Sequence, residues 1–478
     1  MSQCHKIGLN KVLHKFLAAL FAGGLFFSTA PAQAETFQEA LISAYQSNPR
    51  LMAERVRVSE IDENYIQARA AGRLSANITG SAGVSRSVST FNFIGQTKSY
   101  DDLEPRAAQL EIIQPLYQGG RVTALKRQAN AGILAAREGL RNAEQTVFLQ
   151  VANAYIDVLQ AEETARIRRN NVRVLTNQEI AAADRFDVGV GTRTDTAQAQ
   201  SRLAGAEIGL AQADAQLAIS RAAYERVVGH SPVDLKDIPG FALPPTLAAA
   251  QTLGRENNPQ LVAAYFNEDA AKHAIAVARA ASRPVVSLNG TLQKSAGQSS
   301  TLLNNDSQQI AAQIRIPLFS GGANKSKVRA AKHAKVRLGF EARDAERAVD
   351  EAIARLWAQL TAARLSRTAS VKQVDAAQIA FEGVELEQSV GTRTSLDVLD
   401  AEQELLTAKL AVVDAERLVN AASFQLLAAL GAFDAVSLQL AVDYYDPAKN
   451  LADIKKDTFS DIVDAIIPDK IQDKFGSE

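Results

Sequence analysis

Cysteine is all but missing from this sequence: the 478 residues include one, Cys4, with one tryptophan and two methionines. Cys4 falls inside an N-terminal leader and no lipobox surrounds it, so the exported chain has no thiol for a disulfide, a Cys-based metal site or a lipid anchor. Long apolar runs are missing too. Beyond Ala34 no segment approaches ~18 consecutive apolar residues, so a helix of this chain cannot span a bilayer. If the chain crosses a membrane, it does so as a closed β-barrel. Gly/Pro-rich linkers are scarce and aromatic content is only 6%, which leaves an elongated molecule as open as a globular one. No G-x-x-x-x-G-K-[ST], H-E-x-x-H or G-x-S-x-G string occurs, and His230, His273 and His333 lack metal-ligand spacing. No catalytic residue, cofactor or metal ligand is assigned.

Lys6, Lys11 and Lys15, an apolar run from Phe16 to Phe27, and Ala32-Gln33-Ala34 follow the charged, apolar and A-x-A order of a cleavable signal peptide, with cleavage expected after Ala34. A membrane anchor is the bland alternative, but a dozen apolar residues fall short of the ~20 it needs. Losing the three lysines takes the formal charge from −1 to −4, which gives no ground for a nucleic-acid partner.

The chain is written twice. Asn48-Pro49 recurs as Asn258-Pro259, Pro115-Leu116-Tyr117-Gln118-Gly119-Gly120 as Pro317-Leu318-Phe319-Ser320-Gly321-Gly322, and Val190-Gly191-Thr192-Arg193-Thr194 as Val390-Gly391-Thr392-Arg393-Thr394, at offsets of 200 to 210 residues. Each unit reads as helix, strand, loop, strand, very long helix, tight turn, helix and connector. The leader is 1–34. The first repeat is 35–240, with strands about 75–90 and 105–117, a long helix about 121–188 and a return helix 194–228. The second is 241–432, with strands about 284–297 and 307–318, a long helix about 323–390 and a return helix 394–430. A further segment and tail occupy 433–478.

The strands alternate with period two. Ala76, Ile78, Gly80, Ala82, Val84 and Val88 are interleaved with serines, Asn77 and Thr79; Ala108, Leu110 and Ile112 with Gln109 and Glu111. Val286, Leu288 and Leu292, then Ile310, Ala312, Ile314 and Ile316, repeat the pattern in the second unit. Runs of roughly 9 to 11 residues suit tilted membrane strands with an apolar outside and a wet lumen, although hairpins of a soluble sandwich alternate in the same way. Arg86 interrupts the apolar row near the hairpin end and is expected at a membrane rim; Phe91, Phe93 and Tyr100 suit an interfacial girdle.

The two stretches of roughly 68 residues have no proline and would extend ~100 Å as helices. Ile133, Leu140, Val147, Ala154 and Ala161 form a seven-residue row with Ala129, Ala136 and Ala143 beside it, so lateral partners are required, a plain coiled-coil dimer being one possibility. Each return helix is about half as long as its rod, and the helices Pro49–Gly72 and Pro259–Ser282 have about the missing length. Stacked end to end they give four rods and four strands per chain. Four strands cannot close a barrel, for which ~8 is the minimum, so copies must complete it. Pro115 and Pro317 stand where strand becomes helix, a strand-to-helix swivel.

These residues resemble the TolC family of outer-membrane channel proteins over essentially the whole exported chain, in the duplication, the Pro-Leu-Tyr-x-Gly-Gly swivel and the Gly-Thr-Arg-Thr tip followed by Leu396-Asp397-Val398-Leu399-Asp400-Ala401. The resemblance implies a mainly α protein with membrane β: a homotrimer with a 12-stranded outer-membrane β-barrel, a 12-helix periplasmic α-barrel and an equatorial girdle from about Ser231–Pro245 and Ala432–Pro447. It implies a passive exit duct for tripartite efflux and/or type I secretion, in contact with outer-membrane lipid, a periplasmic adaptor (membrane fusion) protein and an inner-membrane RND or ABC transporter. Glu382 and Glu385, which share a helix face at i and i+3, fall on the acidic ring of the periplasmic entrance. Thr194 and Asp195 fall on the entrance ties, while Gln373 and Gln378 stand near where the family commonly has an aromatic and a basic tie partner. Gly191, Thr192 and Arg193 with Gly391, Thr392, Arg393 and Thr394 form the tips onto which adaptors dock, and as αα-hairpin turns need a glycine and a capping hydroxyl in any case. A periplasmic coiled-coil scaffold or adaptor without a pore is the alternative; it would share the helices but not the lipid-type strand pairs.

Overall fold

Helices dominate because two 67-residue stretches contain neither proline nor a cluster of turn residues. The computed structural model describes residues 34–92, 95–299 and 304–456. Residues 1–33 of the expected leader, Phe93, and residues 457–478 of the tail, whose sequence suits either a short amphipathic helix near Phe459 to Ile467 or a disordered end, lie outside the described residues. In chain order the helices are α1 (Phe37–Ser47), α2 (Pro49–Ala70), α3 (Arg121–Asp187), α4 (Arg193–Val228), α5 (Leu247–Asn257), α6 (Pro259–Ala280), α7 (Ala323–Ser389), α8 (Ser395–Ala429) and α9 (Lys449–Ile454). The 11-residue helices α1 and α5 were not expected from the sequence; Thr36 and Thr246 cap them through their hydroxyls.

The repeated Asn-Pro has a mechanical role. Proline at N1 needs no N–H partner, and Asn48 caps α2 by accepting the Arg50 N–H at 3.0 Å. Its Nδ2 donates to the Val227 carbonyl at the end of α4, also at 3.0 Å. Asn258 likewise caps α6 and donates to Ala429 O of α8 at 3.0 Å. Each asparagine therefore splices a short helix onto a return helix. The resulting order of rods is α2/α4, α3, α6/α8, α7. Asn258→Ala removes a cap and leaves a carbonyl without its donor, an expected loss of about 2–3 kcal/mol. Asn258→Asp, which keeps the cap oxygen but not the donor, should lose about half as much in denaturant titrations.

Where the splices lie, at mid-height, the aromatic core gathers. Phe37 stacks on Phe424 at 4.9 Å and meets Tyr155 edge-on at 5.4 Å, with Phe148, Tyr224 and Phe433 also buried. The Tyr155 hydroxyl donates to the carbonyls of Glu35 (3.0 Å) and Lys236 (2.7 Å), which ties the start of the described chain and the α4–α5 connector to α3. The segment after α8 is held by α3: Glu144 Oε1 accepts the Ala435 N–H at 2.6 Å, and Arg141 pairs with Asp434 at 3.2 Å. Burial pushes the Glu144 carboxyl up to about 7; the Ala435 N–H opposes this, Asp434 adds to it, and Arg55 and Arg141 oppose it. The folded form thus keeps a proton that an unfolded carboxyl releases near 4.5. Its stabilisation is complete below that pH and is lost as pH rises through about 7. The melting temperature is expected to fall between pH 5.5 and 8, and Glu144→Gln should flatten that part of the profile.

The sheet joins the repeats. β1 (Ser75–Ala82), β4 (Arg106–Gln118), β5 (Val285–Ala296) and β6 (Asn304–Arg315) pair antiparallel in that order, leaving β1 and β6 as open edges. Register carries the alternation across all four strands: Ala76, Ile112, Gly290 and Ile310 form one apolar row, and Asn77, Glu111, Thr291 and Gln309 a polar row on the other face. The run from Ser75 to Ser89 is not one strand, as the alternation implied. β2 (Ser85–Asn92) and β3 (Gln96–Leu103) make a separate two-stranded ribbon, because Pro105 has no N–H to continue the ladder and its carbonyl accepts from Gly83 instead. Arg86 lies in that ribbon, beyond the four-stranded sheet, paired with Asp102 directly opposite. Tyr100 is exposed in β3. β6 ends at Arg315, earlier than expected, because β5 offers no residue beyond Val285; β4 runs to Gln118 past an irregularity between Pro115 and Tyr117. The two swivel prolines are therefore placed differently, Pro115 inside a strand and Pro317 after one.

Candidate functional site

The end of the rods farthest from the sheet is formed by two αα-hairpin turns. α3 ends and α4 begins 202 residues before α7 ends and α8 begins. The two Gly-Thr-Arg-Thr strings are offset by 200, so they do not occupy equivalent positions. Gly189 (φ 79°) corresponds to Gly391 (φ 80°), each supplying the left-handed residue that ends its helix. Thr192 caps α4 and Thr394 caps α8; Asp195 and Asp397 complete the capping boxes, each accepting a threonine hydroxyl at 2.8 Å. The acid three residues on decides which threonine caps: Thr192 has Asp195, and Thr394 has Asp397. At the 202-residue offset of the helix ends, Gly191 corresponds to Arg393 and Arg193 to Ser395, not to Gly391 and Arg393. The two tips therefore present different side chains.

Asp195, expected as a tie, spends its carboxylate on the cap, and the Thr192 hydroxyl and N–H hold it below the usual carboxylate range. Thr194 is exposed. Arg193 is exposed too, while Arg393 pairs with Glu387 at 2.9 Å and Thr392 donates to the Glu387 carbonyl at 2.8 Å. Glu382 and Glu385 are both exposed near the end of α7, and Gln378, on the same helix, donates to Glu382 at 2.6 Å.

The links between the two hairpins fall on residues other than Thr194 and Asp195. Arg202 of α4 pairs with Asp400 of α8 at 2.7 Å, and Asn171 of α3 donates to Glu402 of α8 at 2.9 Å. Farther from the tip, Gln160 donates to Asp414 and Arg417 pairs with Asp157. Glu402 is buried, which raises its pKa; the Asn171 bond opposes that shift and nearby Glu385 adds to it. The signal was available: Glu402 interrupts the apolar row Leu399–Leu406, and Asn171 interrupts Ile167–Leu175. A polar residue in each of two facing apolar rows points to a bonded pair.

A sheet with two open edges and one mainly apolar face, interrupted by Gln114, Gln308 and the Lys294–Asp306 pair and prolonged by ~100 Å rods, fits one subunit of a membrane-embedded duct. The chain belongs to the family described as Outer membrane efflux protein, which it matches over residues 40–230 and 252–432. It is 33% identical to the outer membrane efflux protein BepC of Brucella suis, over 92% of this chain and 95% of that protein. It is 25% identical to the outer membrane protein TolC of Vibrio cholerae, over 83% of this chain and 90% of that protein. Among solved structures it resembles the outer membrane protein VceC of Vibrio cholerae, with a TM-score of 0.68 at 20% identity, covering 83% of this chain and 96% of that one. The chain is thus an outer-membrane transport duct with a large periplasmic portion.

Proposed function

We propose that three copies of this chain close, β6 against β1 and α7 against the α2/α4 rod, into a homotrimeric duct through which substrates leave the periplasm without an energy source in the chain itself. The open sheet edges carry the reading. β1 and β6 each pair with one neighbour only, and edges of a membrane sheet left with unpaired N–H and C=O groups require a partner strand. A periplasmic adaptor docks on the tips around Gly191–Arg193 and Gly391–Thr394, and an inner-membrane RND or ABC transporter supplies the drive for efflux and/or type I secretion. Glu382 and Glu385 form the acidic ring at the entrance. The Arg202–Asp400 and Asn171–Glu402 links stand in for the ties expected at Thr194 and Asp195, so they hold the entrance narrow.

Single-channel recording of the purified protein in planar bilayers tests this. Stable pores are expected, and Arg202→Ala/Asn171→Ala should raise conductance severalfold by freeing α8 from α3 and α4. Well-folded protein that forms no pore would favour the scaffold reading; pores whose conductance ignores the double substitution would remove these links from the gate.

A further inference from the structure

Charge is distributed unevenly along the rods. In the four segments nearest the sheet, 64–73, 119–137, 270–283 and 316–340, there are fifteen Lys and Arg and no Asp or Glu, in a chain whose overall balance is −1. The asymmetry is greatest on α7, where Lys325, Lys327, Arg329 and Lys332 are exposed and the first acid is Glu341, about 27 Å along the helix. None of these four has a carboxylate partner among the described residues; pairing on α7 starts deeper, with Lys335 and Glu268 at 2.7 Å. Arg121 and Arg127 on α3, and Arg279 on α6, are exposed at the same level.

Directly above this collar the surface is apolar. Leu318 and Phe319 are 92% and 89% exposed, the most exposed of the large apolar side chains among the described residues. Tyr117, 48% exposed, shares a row with Val286 and Ile314, the last row of the sheet's apolar side. Apolar strand face, aromatic and aliphatic rim, then cations without acids is the order of a hydrocarbon core, an interface and a phosphate layer. The start of α3 and of α7 adds to the positive potential: their N-caps, Gly120 and Gly322, have no side chain, whereas the other helices of 11 residues or more begin at a Thr or Asn that caps.

We propose that this collar, led by Lys325, Lys327, Arg329 and Lys332 beneath the Leu318-Phe319 wedge, binds anionic phospholipid headgroups of the leaflet that faces the periplasm. It fixes the depth of the barrel and makes the duct selective for the lipid around it. The proposal rests on the outer-membrane location and not on conduction, so it and the duct reading fail separately.

Native mass spectrometry of the full-length assembly tests it, with dioleoylphosphatidylglycerol or dioleoylphosphatidylcholine titrated into the micelles. The glycerol lipid should be retained at about tenfold lower concentration, in keeping with several cations each contributing at an anionic surface, and the preference should shrink as salt rises. Lys325→Gln/Lys327→Gln/Arg329→Gln/Lys332→Gln should abolish the preference, whereas Leu318→Ser/Phe319→Ser should weaken both lipids alike. An unchanged preference in the quadruple variant overturns the proposal. So does a change of ion selectivity with lipid preference intact, which would place these cations in the lumen. A preference that appears only when the acidic segment 457–478 is deleted would assign the collar to that segment instead. Should the quadruple variant fail to assemble, the wild type still decides: a lipid preference indifferent to salt rules the collar out.

Discussion

Gly431→Val should remove the assembled protein from the outer membrane. Gly431 follows α8 with φ 73°, a conformation that costs a β-branched residue heavily, and a Cβ placed there would lie 2.2 Å from the Asn257 carbonyl oxygen. The obstacle is backbone, the residue just before the Asn258 splice, so no rotamer relieves it. The expected destabilisation exceeds about 4 kcal/mol, the range reserved for broken cores and strained backbones. Quantifying heat-resistant oligomer in outer-membrane fractions checks this. Gly205→Ala is the control: nothing lies within 4 Å of its added Cβ, and inside α4 it should stabilise the helix by up to about 1 kcal/mol. Wild-type amounts of Gly431→Val oligomer would mean that the α8–α5 junction yields far more than its geometry allows.

The second large effect is expected at the entrance. Three-fold symmetry would gather six carboxylates from Glu382 and Glu385 around one axis, where a trivalent cation meets summed attraction and the exposed side chains are free to converge. Block of single channels by such a cation, applied on the helical side, should weaken by about 100-fold in Glu382→Gln/Glu385→Gln, and cation selectivity should fall with it. Neutralisation that leaves the block unchanged would return these glutamates to the role of a solvated helix face.

Much of the architecture was legible in the residues because it depends on periodicity. The absence of proline and the rich load of Ala, Leu, Gln, Glu and Arg define two helices of 67 residues, and two-residue alternation defines strands with one apolar row. The half-length return helices, matched by the helices after each Asn-Pro, foretell the stacked rods by arithmetic. Less was legible at the tips. Identical Gly-Thr-Arg-Thr strings invited a one-to-one match, yet capping is decided by the acid three residues later, and the two strings stand two residues out of step. The break at Gly83 depended on a proline more than twenty residues away, opposite it only once the hairpin forms.

By itself, then, the sequence determined the long helices, the strand alternation, the duplication and the need for copies, since hydrogen-bonding period and chain length are properties of consecutive residues. Only the tertiary structure decided how those elements meet. It showed that asparagines splice the rods, that Glu402 and Asp400 link the two hairpins within the chain, and that cations from four separated segments lie at one level beneath the barrel. Each of these is a relation between residues far apart in the chain, and neither spacing nor composition specifies it before the rods are laid side by side.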